Sequence, residues 1–184
     1  MPTLTLVAGP NGSGKSTLTE SVELRGRGLL VDPDAVAREM NPSNPQSVAI
    51  AAGREVLRRI EEYFMHGESF AVETTLSSHA SIALIDDARS RGYETHLIFV
   101  ALDTPEENIV RVRSRAQHGG HFIPDVDVRR RYSRSLANLK LAIPKVDVAK
   151  VYDNSGEAHE LVLTARNGIV VHRAVELPQW LQGL

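Results

Sequence analysis

The sequence contains no cysteine. That removes disulfides, thiolate metal ligands and cysteine nucleophiles, and it suits a reducing cytoplasm. Positive charge is not in excess either. Lys and Arg total 21 against 23 Asp and Glu, a formal net charge of −2. General nucleic-acid coats and membrane-surface proteins usually need a basic excess, so both classes are disfavoured, although a local basic site is not. No apolar run approaches the roughly 18 residues of a membrane span. The N-terminal MPTLTLVAGP lacks a basic region followed by an apolar one, which predicts no signal peptide. Aromatic residues are scarce at 5%, which weakens readings that need base stacking. His121 apart, the histidines show no metal-ligand spacing. No repeat, low-complexity segment or linker is visible.

What is present reads as a globular chain. Hydrophobic residues make up 42% and charged residues 24% of 184 positions, enough for a single domain over 1–184 with a real core. Short apolar runs alternate with helical patterns. TLTLVA (3–8), GLLVD (28–32), SFAVET (69–74), THLIFVAL (95–102) and VAKVYDNS (148–155) read as strands. The intervening stretches read as helices. One starts at Lys15 and runs to about Glu23, and one carries Ala49, Val56, Ile60 and Phe64 before a stop at Gly67. Another closes at Gly92. A fourth opens with Thr104, Pro105 and Glu107, a capping-box arrangement. A last one spans 125–143. Strands separated by helices predict an α/β fold with a mostly parallel, five-stranded sheet covered on both faces. A C-terminal antiparallel hairpin at about 160–174 turns at Asn167-Gly168.

The first strand runs straight into GPNGSGKST, residues 9–17. Gly9, Gly14, Lys15 and Ser16 satisfy G-x-x-x-x-G-K-[ST] in full, with a strand before and a helix after. Glycines at Gly9, Gly12 and Gly14, with Pro10, Asn11 and Ser13 between them, let backbone N–H groups turn inward around phosphate oxygens. The N-terminus of the helix that starts at Lys15, with Ser16 and Thr17 in its first turn, adds a partial positive charge. Lys15 can bridge β- and γ-phosphates, and Ser16 can hold Mg²⁺. This predicts a three-layer P-loop NTPase that binds ATP or GTP. No N-K-x-D base reader or D-x-x-G is visible, which argues against a GTPase switch. No transporter signature or strand ending in Asp-Glu is visible, which argues against a motor. Asp103, after the fourth strand, is a Walker-B-like aspartate or, better, a turn residue.

Further candidates fall on the rim formed by the strand C-terminal ends, where open parallel sheets bind ligands. Asp32 and Asp34 follow the second strand. A carboxylate there can take the proton of an attacking hydroxyl or organise Mg²⁺ through water; the alternative for Asp34 is the N-cap of a helix over 35–40. Glu73, Thr74 and Thr75 end the third strand and suit polar substrate hydroxyls, or else strand-end solvation. Seven arginines lie between positions 111 and 134, on two helices flanking Gly-Gly-His. That segment reads as an arginine-rich lid. Helical geometry puts Arg115, Arg129 and Arg131 beside the apolar stripes, where they can reach a cleft and neutralise charge on a transferred phosphoryl group. Arg111, Arg130 and Arg134 point away. His121 sits among glycines, where a ligand can approach, or is a plain surface histidine.

These motifs, in this order, resemble the compact zeta-toxin-like P-loop kinases over about residues 1–155. The resemblance rests on LTLVAGPNGSGKST, VDPDAVAREMNP, GESFAVETTLSS, the arginine-rich segment and VYDNSG. It implies a nucleoside-kinase-like fold and ATP or GTP with Mg²⁺ as phosphoryl donor. It implies a small-molecule hydroxyl acceptor such as UDP-N-acetylglucosamine, and an antitoxin partner. Carried over by residue, it makes Lys15 and Ser16 the loop lysine and metal hydroxyl, and Asp34 the base. Glu73 and Thr75 become the acceptor pair. Asp32, which can orient Asp34, and His121, which can contact substrate, are candidates from the residues alone. Arg115 and Arg131 resemble lid arginines, and Arg111 falls near the adenine. The alternatives left by the residues are a polynucleotide or tRNA kinase using the basic lid, and a nucleotide-gated binding module with slow hydrolysis.

Overall fold

The computed structural model describes residues 1–118, 120 and 122–182. Seven strands form one sheet in the order β2-β3-β1-β4-β5-β6-β7. β1 is Thr3–Ala8, β2 Leu30–Val31, β3 Phe70–Thr74, β4 Glu94–Ala101 and β5 Val148–Asp153. These five are parallel, as the alternation predicts. β6 (Glu160–Arg166) and β7 (Ile169–Arg173) add the expected antiparallel hairpin, so the sheet has seven strands rather than five. The hairpin turns at Asn167 and Gly168, which take φ of 48° and 77°, the left-handed pair that a type I′ turn needs. Six helices connect or follow the strands: α1 Lys15–Ser21, α2 Pro33–Met40, α3 Ala49–His66, α4 His79–Ser90, α5 Pro105–Gln117 and α6 Asp125–Ala142. No helix of the described residues is long and apolar enough to cross a membrane.

The topology covers the two faces unequally. Parallel crossovers are right-handed, so their direction across the sheet decides which face receives the helix. β1 to β2 is the one crossover that runs leftward in the strand order, and it deposits α1. The crossovers β2 to β3, β3 to β4 and β4 to β5 all run rightward and place α2, α3, α4 and α6 on the opposite face. The core follows. Leu4, Leu6, Phe70, Val72, Leu97 and Phe99 pack against Val36, Ile60, Phe64, Ile85 and Leu139 in one large cluster. On the other face Leu18 of α1, with Val22 and Leu24 after it, covers Val7, Ala71, Ile98 and Val100. After β5 the chain makes the hairpin instead of sending back a helix. A groove of about 460 Å³ therefore lies open over β4 and β5, lined by Arg25, His96, Lys150 and Tyr152 among others.

Local signals hold where a side chain satisfies a helix end. Thr104 accepts the Glu107 N–H at 3.3 Å, with Pro105 at the first helical position. Gly67 ends α3 at φ 63°. At α2 the cap is Asp32, not Asp34: its Oδ1 accepts the Asp34 N–H at 2.9 Å.

The β4–β5 junction is tied by Asp147. Its Oδ2 accepts the N–H of fully buried Thr95 at 2.7 Å and the Thr95 hydroxyl at 2.8 Å. Asp147→Ala leaves both donors without a partner. We expect it to lower stability by about 2 kcal/mol, read as a lower urea midpoint at unchanged slope. An unchanged midpoint would contradict this role.

Candidate active site

The C-terminal ends of β1, β2, β3 and β5 converge on the loop from Gly9 to Gly14, because parallel strands all point their carboxyl ends to one rim. Close packing dictates glycine at two loop positions. A Cβ on Gly9 would lie 2.0 Å from the Val100 carbonyl oxygen. On Gly14, at φ 94°, it would lie 2.2 Å from Asn154 Nδ2. The loop is held by side chains that sequence reasoning did not single out. Asn108 Nδ2 donates to the Asn11 carbonyl at 2.7 Å, and Asn154 Nδ2 donates to the Ser13 carbonyl at 2.8 Å. His159 Nε2 lies 3.1 Å from the Gly14 carbonyl oxygen. No local pattern marks these asparagines, because their partners are main-chain carbonyls far away in the sequence.

Lys15 is buried. Its ammonium donates to the carbonyls of Gly9 at 2.9 Å and Pro10 at 3.1 Å, and lies 3.8 Å from Glu73 Oε1. Burial lowers the Lys15 pKa, and the Glu73 charge works against that fall. Burial raises the Glu73 pKa, and the Lys15 charge works against that rise. Desolvation thus outweighs mutual attraction on both partners.

Glu73 and Lys15 open into a cleft of about 300 Å³ shared with Asp32, Asp34, Thr75 and Arg131. Asp32 has structural duties. It caps α2 and lies 3.5 Å from Arg38 Nη2. Asp34 is exposed, and its carboxylate has no partner among the described residues. Thr75 Oγ1 is 2.8 Å from Ser77 Oγ. Thr74 Oγ1 is 2.9 Å from Ser81 Oγ and accepts the Leu76 N–H at 3.1 Å. Leu76 is fully buried at φ 56°, left-handed backbone that costs a residue with a Cβ roughly 1–3 kcal/mol. Buried Asn138 on α6 holds it, donating from Nδ2 to the Leu76 carbonyl at 2.8 Å.

The arginines separate by partner. Arg131 Nη1 donates to Asn11 Oδ1 at 3.2 Å and lines the cleft, as its flanking position predicts. Arg111 Nη2 donates to the Asn154 carbonyl at 2.9 Å, beside the loop. Arg115 is exposed and outside the cleft lining, yet its charge acts on Lys15 and Glu73. Arg113, Arg129 and Arg130 pair with Asp125, Glu106 and Asp127. Asp103 belongs to a turn: its N–H donates to Ser155 Oγ. His121 lies outside the described residues.

The residues present fit a nucleoside triphosphate. The loop is shaped to exclude side chains, and the buried Ser13 hydroxyl inside it lacks a hydrogen-bond partner among the described residues. They also fit Mg²⁺, which takes few protein ligands and keeps several waters. Ser16 is exposed beside the loop, and its hydroxyl is free among the described residues. No described group of three or more His, Asp or Glu gathers into a protein-only metal cage.

The Zeta toxin family model matches residues 1–161. The chain belongs to the zeta toxin family. An uncharacterized protein of Haemophilus influenzae is 35% identical to this zeta toxin family member over 124 residues, covering 67% of this chain and 88% of that one. The structure is similar to AvrRxo1-ORF1 in its complex with AvrRxo1-ORF2. With sulphate ions bound there, the TM-score is 0.73 at 18% identity, and 92% of this chain matches 60% of that one. The ATP complex of the same pair gives a TM-score of 0.71. The PezAT toxin–antitoxin system of Streptococcus pneumoniae gives 0.62 at 16% identity, over 87% of this chain and 70% of that chain. These likenesses establish a shared P-loop kinase fold, and the chain spans about 60% of the AvrRxo1 chain's length.

Two outcomes test the site's physics. Asn138→Ala strands the buried Leu76 carbonyl, a loss of about 1–3 kcal/mol, and should speed amide hydrogen exchange at residues 74–77 more than elsewhere in the sheet. Uniform exchange would refute the clamp. For Glu73, the native carboxyl binds its proton more tightly than the unfolded one, whose ordinary value is 4.5. Its stabilising contribution is full below that pH and is lost as pH rises through the raised native value. Thermal melts should show wild type losing stability relative to Glu73→Gln across that window. Parallel profiles would show that burial does not control this group.

Proposed function

We propose that this protein is a kinase that moves the γ-phosphoryl group of ATP or GTP to a hydroxyl of a small molecule. The observation that carries the reading is the free Asp34 carboxylate in the cleft that also holds Lys15. Asp32 fixes its position by capping α2, which leaves the Asp34 oxygens available as proton acceptors.

In this mechanism a triphosphate enters the loop, and Lys15 exchanges the Gly9 and Pro10 carbonyls for phosphate oxygens. That exchange replaces weak neutral acceptors with charged ones and offsets the burial of the ammonium. Ser16 would hold Mg²⁺, which when bound neutralises charge between the β- and γ-phosphates. Glu73 and Thr75 orient the acceptor. Asp34 takes the hydroxyl proton as the oxygen attacks the γ-phosphorus in line and the bond to the β-γ bridging oxygen breaks. Arg131, tethered to Asn11 of the loop, and Arg115 carry charge that builds on the transferred group. Arg111 lies beside the nucleotide base.

The family relationship supports a toxic product and an antitoxin partner. The resemblance to zeta toxins suggests a UDP-amino-sugar among the acceptors to try. A polynucleotide kinase is less well supported, because Arg113, Arg129 and Arg130 are paired with carboxylates rather than free.

The test is Asp34→Asn. With γ-labelled ATP and a cytosolic metabolite pool, label transfer should fall by about 10²–10⁴-fold, while ATP affinity measured by calorimetry changes less than about threefold. A transfer rate unchanged by the substitution would overturn the mechanism. Nucleotide binding with no Asp34-dependent transfer would favour a nucleotide-gated binding module.

A further inference from the structure

The groove over β4 and β5 lies on the sheet face opposite α2, α3, α4 and α6, and nothing in the kinase reading uses it. We propose that it is a second binding site, for a small phosphate monoester with hydroxyl or amino groups on a compact body, the chemistry shared by sugar phosphates and mononucleotides.

The first observation is what this face is made of. Ala149 and Val151 of β5 are fully buried in the large core, while Val148, Lys150 and Tyr152 line the groove. A strand covered by a helix on this side as well would carry apolar residues at those positions. Lys150 and, on β6, Arg166 are instead exposed cations. An apolar helix laid here would bury both charges without partners, at high cost. The occupant that suits this face is wet and negatively charged.

The second observation is how the two cations are placed. Across the β5–β6 ladder Val148 pairs with Arg166 and Lys150 with Thr164. Lys150 and Arg166 are therefore diagonal neighbours, about 7–8 Å apart along the backbone. Like charges so placed repel, and neither has a carboxylate partner among the described residues. Side chains of this length can converge on one phosphate, the ammonium as a point charge and the guanidinium as a two-pronged donor. A bound dianion turns the repulsion into attraction.

The third observation is the rest of the lining, which sets the body of the ligand. Leu24, Ile98 and Val148 give an apolar floor, and half-buried Tyr152 adds a ring whose hydroxyl is unpaired among the described residues. Two carboxylates also line the groove. Glu94 is already held by Arg25 and His96, each at 2.9 Å. Glu23 is exposed and unpaired among the described residues. Its segment is fixed over β1, where the Thr5 hydroxyl donates to the Arg25 carbonyl at 3.0 Å, and β4 and β5 separate β1 from Arg166 on β6. The groove thus has a cationic side and a side with a free carboxylate. That carboxylate only accepts hydrogen bonds, so it selects hydroxyl or amino donors at the end of the ligand away from the phosphate. The volume of about 460 Å³ falls within the range for ligand pockets, roughly 300–1,000 Å³, and suits one ring system with its phosphate.

The groove shares no lining residue with the cleft that holds Lys15 and Glu73, so both can be filled at once. The step is binding alone, with no bond made or broken.

The experiment is calorimetry on the full chain, with the phosphate loop first saturated by Mg²⁺ and a non-hydrolysable ATP analogue. AMP, glucose 6-phosphate and glucosamine 6-phosphate are titrated beside adenosine, glucose, glucosamine and inorganic phosphate. We expect at least one ester to bind saturably with a submillimolar Kd. Its dephosphorylated form and inorganic phosphate should each bind about tenfold or more weakly. Which ester binds separates a nucleotide source from a sugar source. Lys150→Glu and Arg166→Glu should each weaken that ester about tenfold or more, and leave the affinity for the ATP analogue within about twofold. Both side chains are exposed and unpaired among the described residues, so the core is spared, and an unchanged Tm verifies it. Three results would each overturn the site: no ester binds, inorganic phosphate binds as well as the esters, or ester binding survives both charge reversals and so belongs to the other cleft. None of these bears on the kinase reading, which is tested by transfer rather than by this binding.

Discussion

An ammonium group buried in a loop of its own chain is the constraint from which the rest of this site follows. Lys15 lies where water cannot solvate it, and an isolated buried charge is expensive. Two carbonyls of the same loop and the Glu73 carboxylate are what make it tolerable. Each compensation sets a demand elsewhere. The carbonyls of Gly9 and Pro10 must turn inward, so the loop must reverse tightly against β4, and at Gly9 no Cβ fits beside the Val100 carbonyl. Glu73 must sit at the end of β3, next to β1, which fixes the strand order at the centre of the sheet. The carboxylate that steadies the lysine also lines the cleft beside Asp32, Asp34 and Thr75. Under the proposed mechanism the donor and acceptor halves therefore share one electrostatic unit, and a charge change on one side is felt by the other.

The handedness of chain crossovers governs the rest of the architecture. One leftward crossover leaves α1 alone on its face of the sheet, while the rightward ones stack four helices on the other. The phosphate loop sits where the direction reverses, at the C-terminal end of β1. That is the point where connections diverge to opposite faces and leave a crevice. The same asymmetry opens the groove over β4 and β5, because β5 is followed by a hairpin rather than a helix and Trp180 packs near Phe99 on the helix-rich side.

Much of this was legible in the sequence because it rests on local chemistry. The glycine-lysine loop, the Thr104 cap and the Asn-Gly turn each declare a backbone shape within a few residues. Strand existence was equally clear from apolar runs. How unequally the two faces are covered was not, since that depends on strand order, and no run of residues encodes its own neighbours. The capping role of Asp32 was missed for a related reason. Asp32 and Asp34 flank Pro33 symmetrically in the sequence, and only the choice of Pro33 as first helical residue makes one a cap and frees the other. Asn108, Asn138 and Asn154 were invisible because their partners are main-chain carbonyls 97, 62 and 141 residues away. Such bonds leave no periodic trace.

The arginine-rich segment reads from sequence as a lid, and α6 limits what kind of lid it can be. Two adjacent faces of this helix are fastened to loops at the strand ends. Arg131 reaches the phosphate loop, Tyr132 donates to the carbonyls of Leu102 and Asp103 at 2.9 Å, and Asn138 holds Leu76. The Tyr132 hydroxyl and the Asn138 amide are buried or nearly so, and breaking either bond strands a polar group without water. Swinging α6 as a rigid body would break both. Rotation of the Arg131 side chain breaks only its 3.2 Å contact to Asn11, at the edge of a cleft open to solvent. Under the proposed mechanism, closure over a bound nucleotide would fall to arginine rotamers and to α5, whose Arg115 is exposed and unpaired among the described residues, and not to α6 moving as a whole. The helix that would deliver the charge is the same one that keeps the Leu76 turn in its strained shape. It can serve both roles if its backbone stays fixed while one side chain rotates.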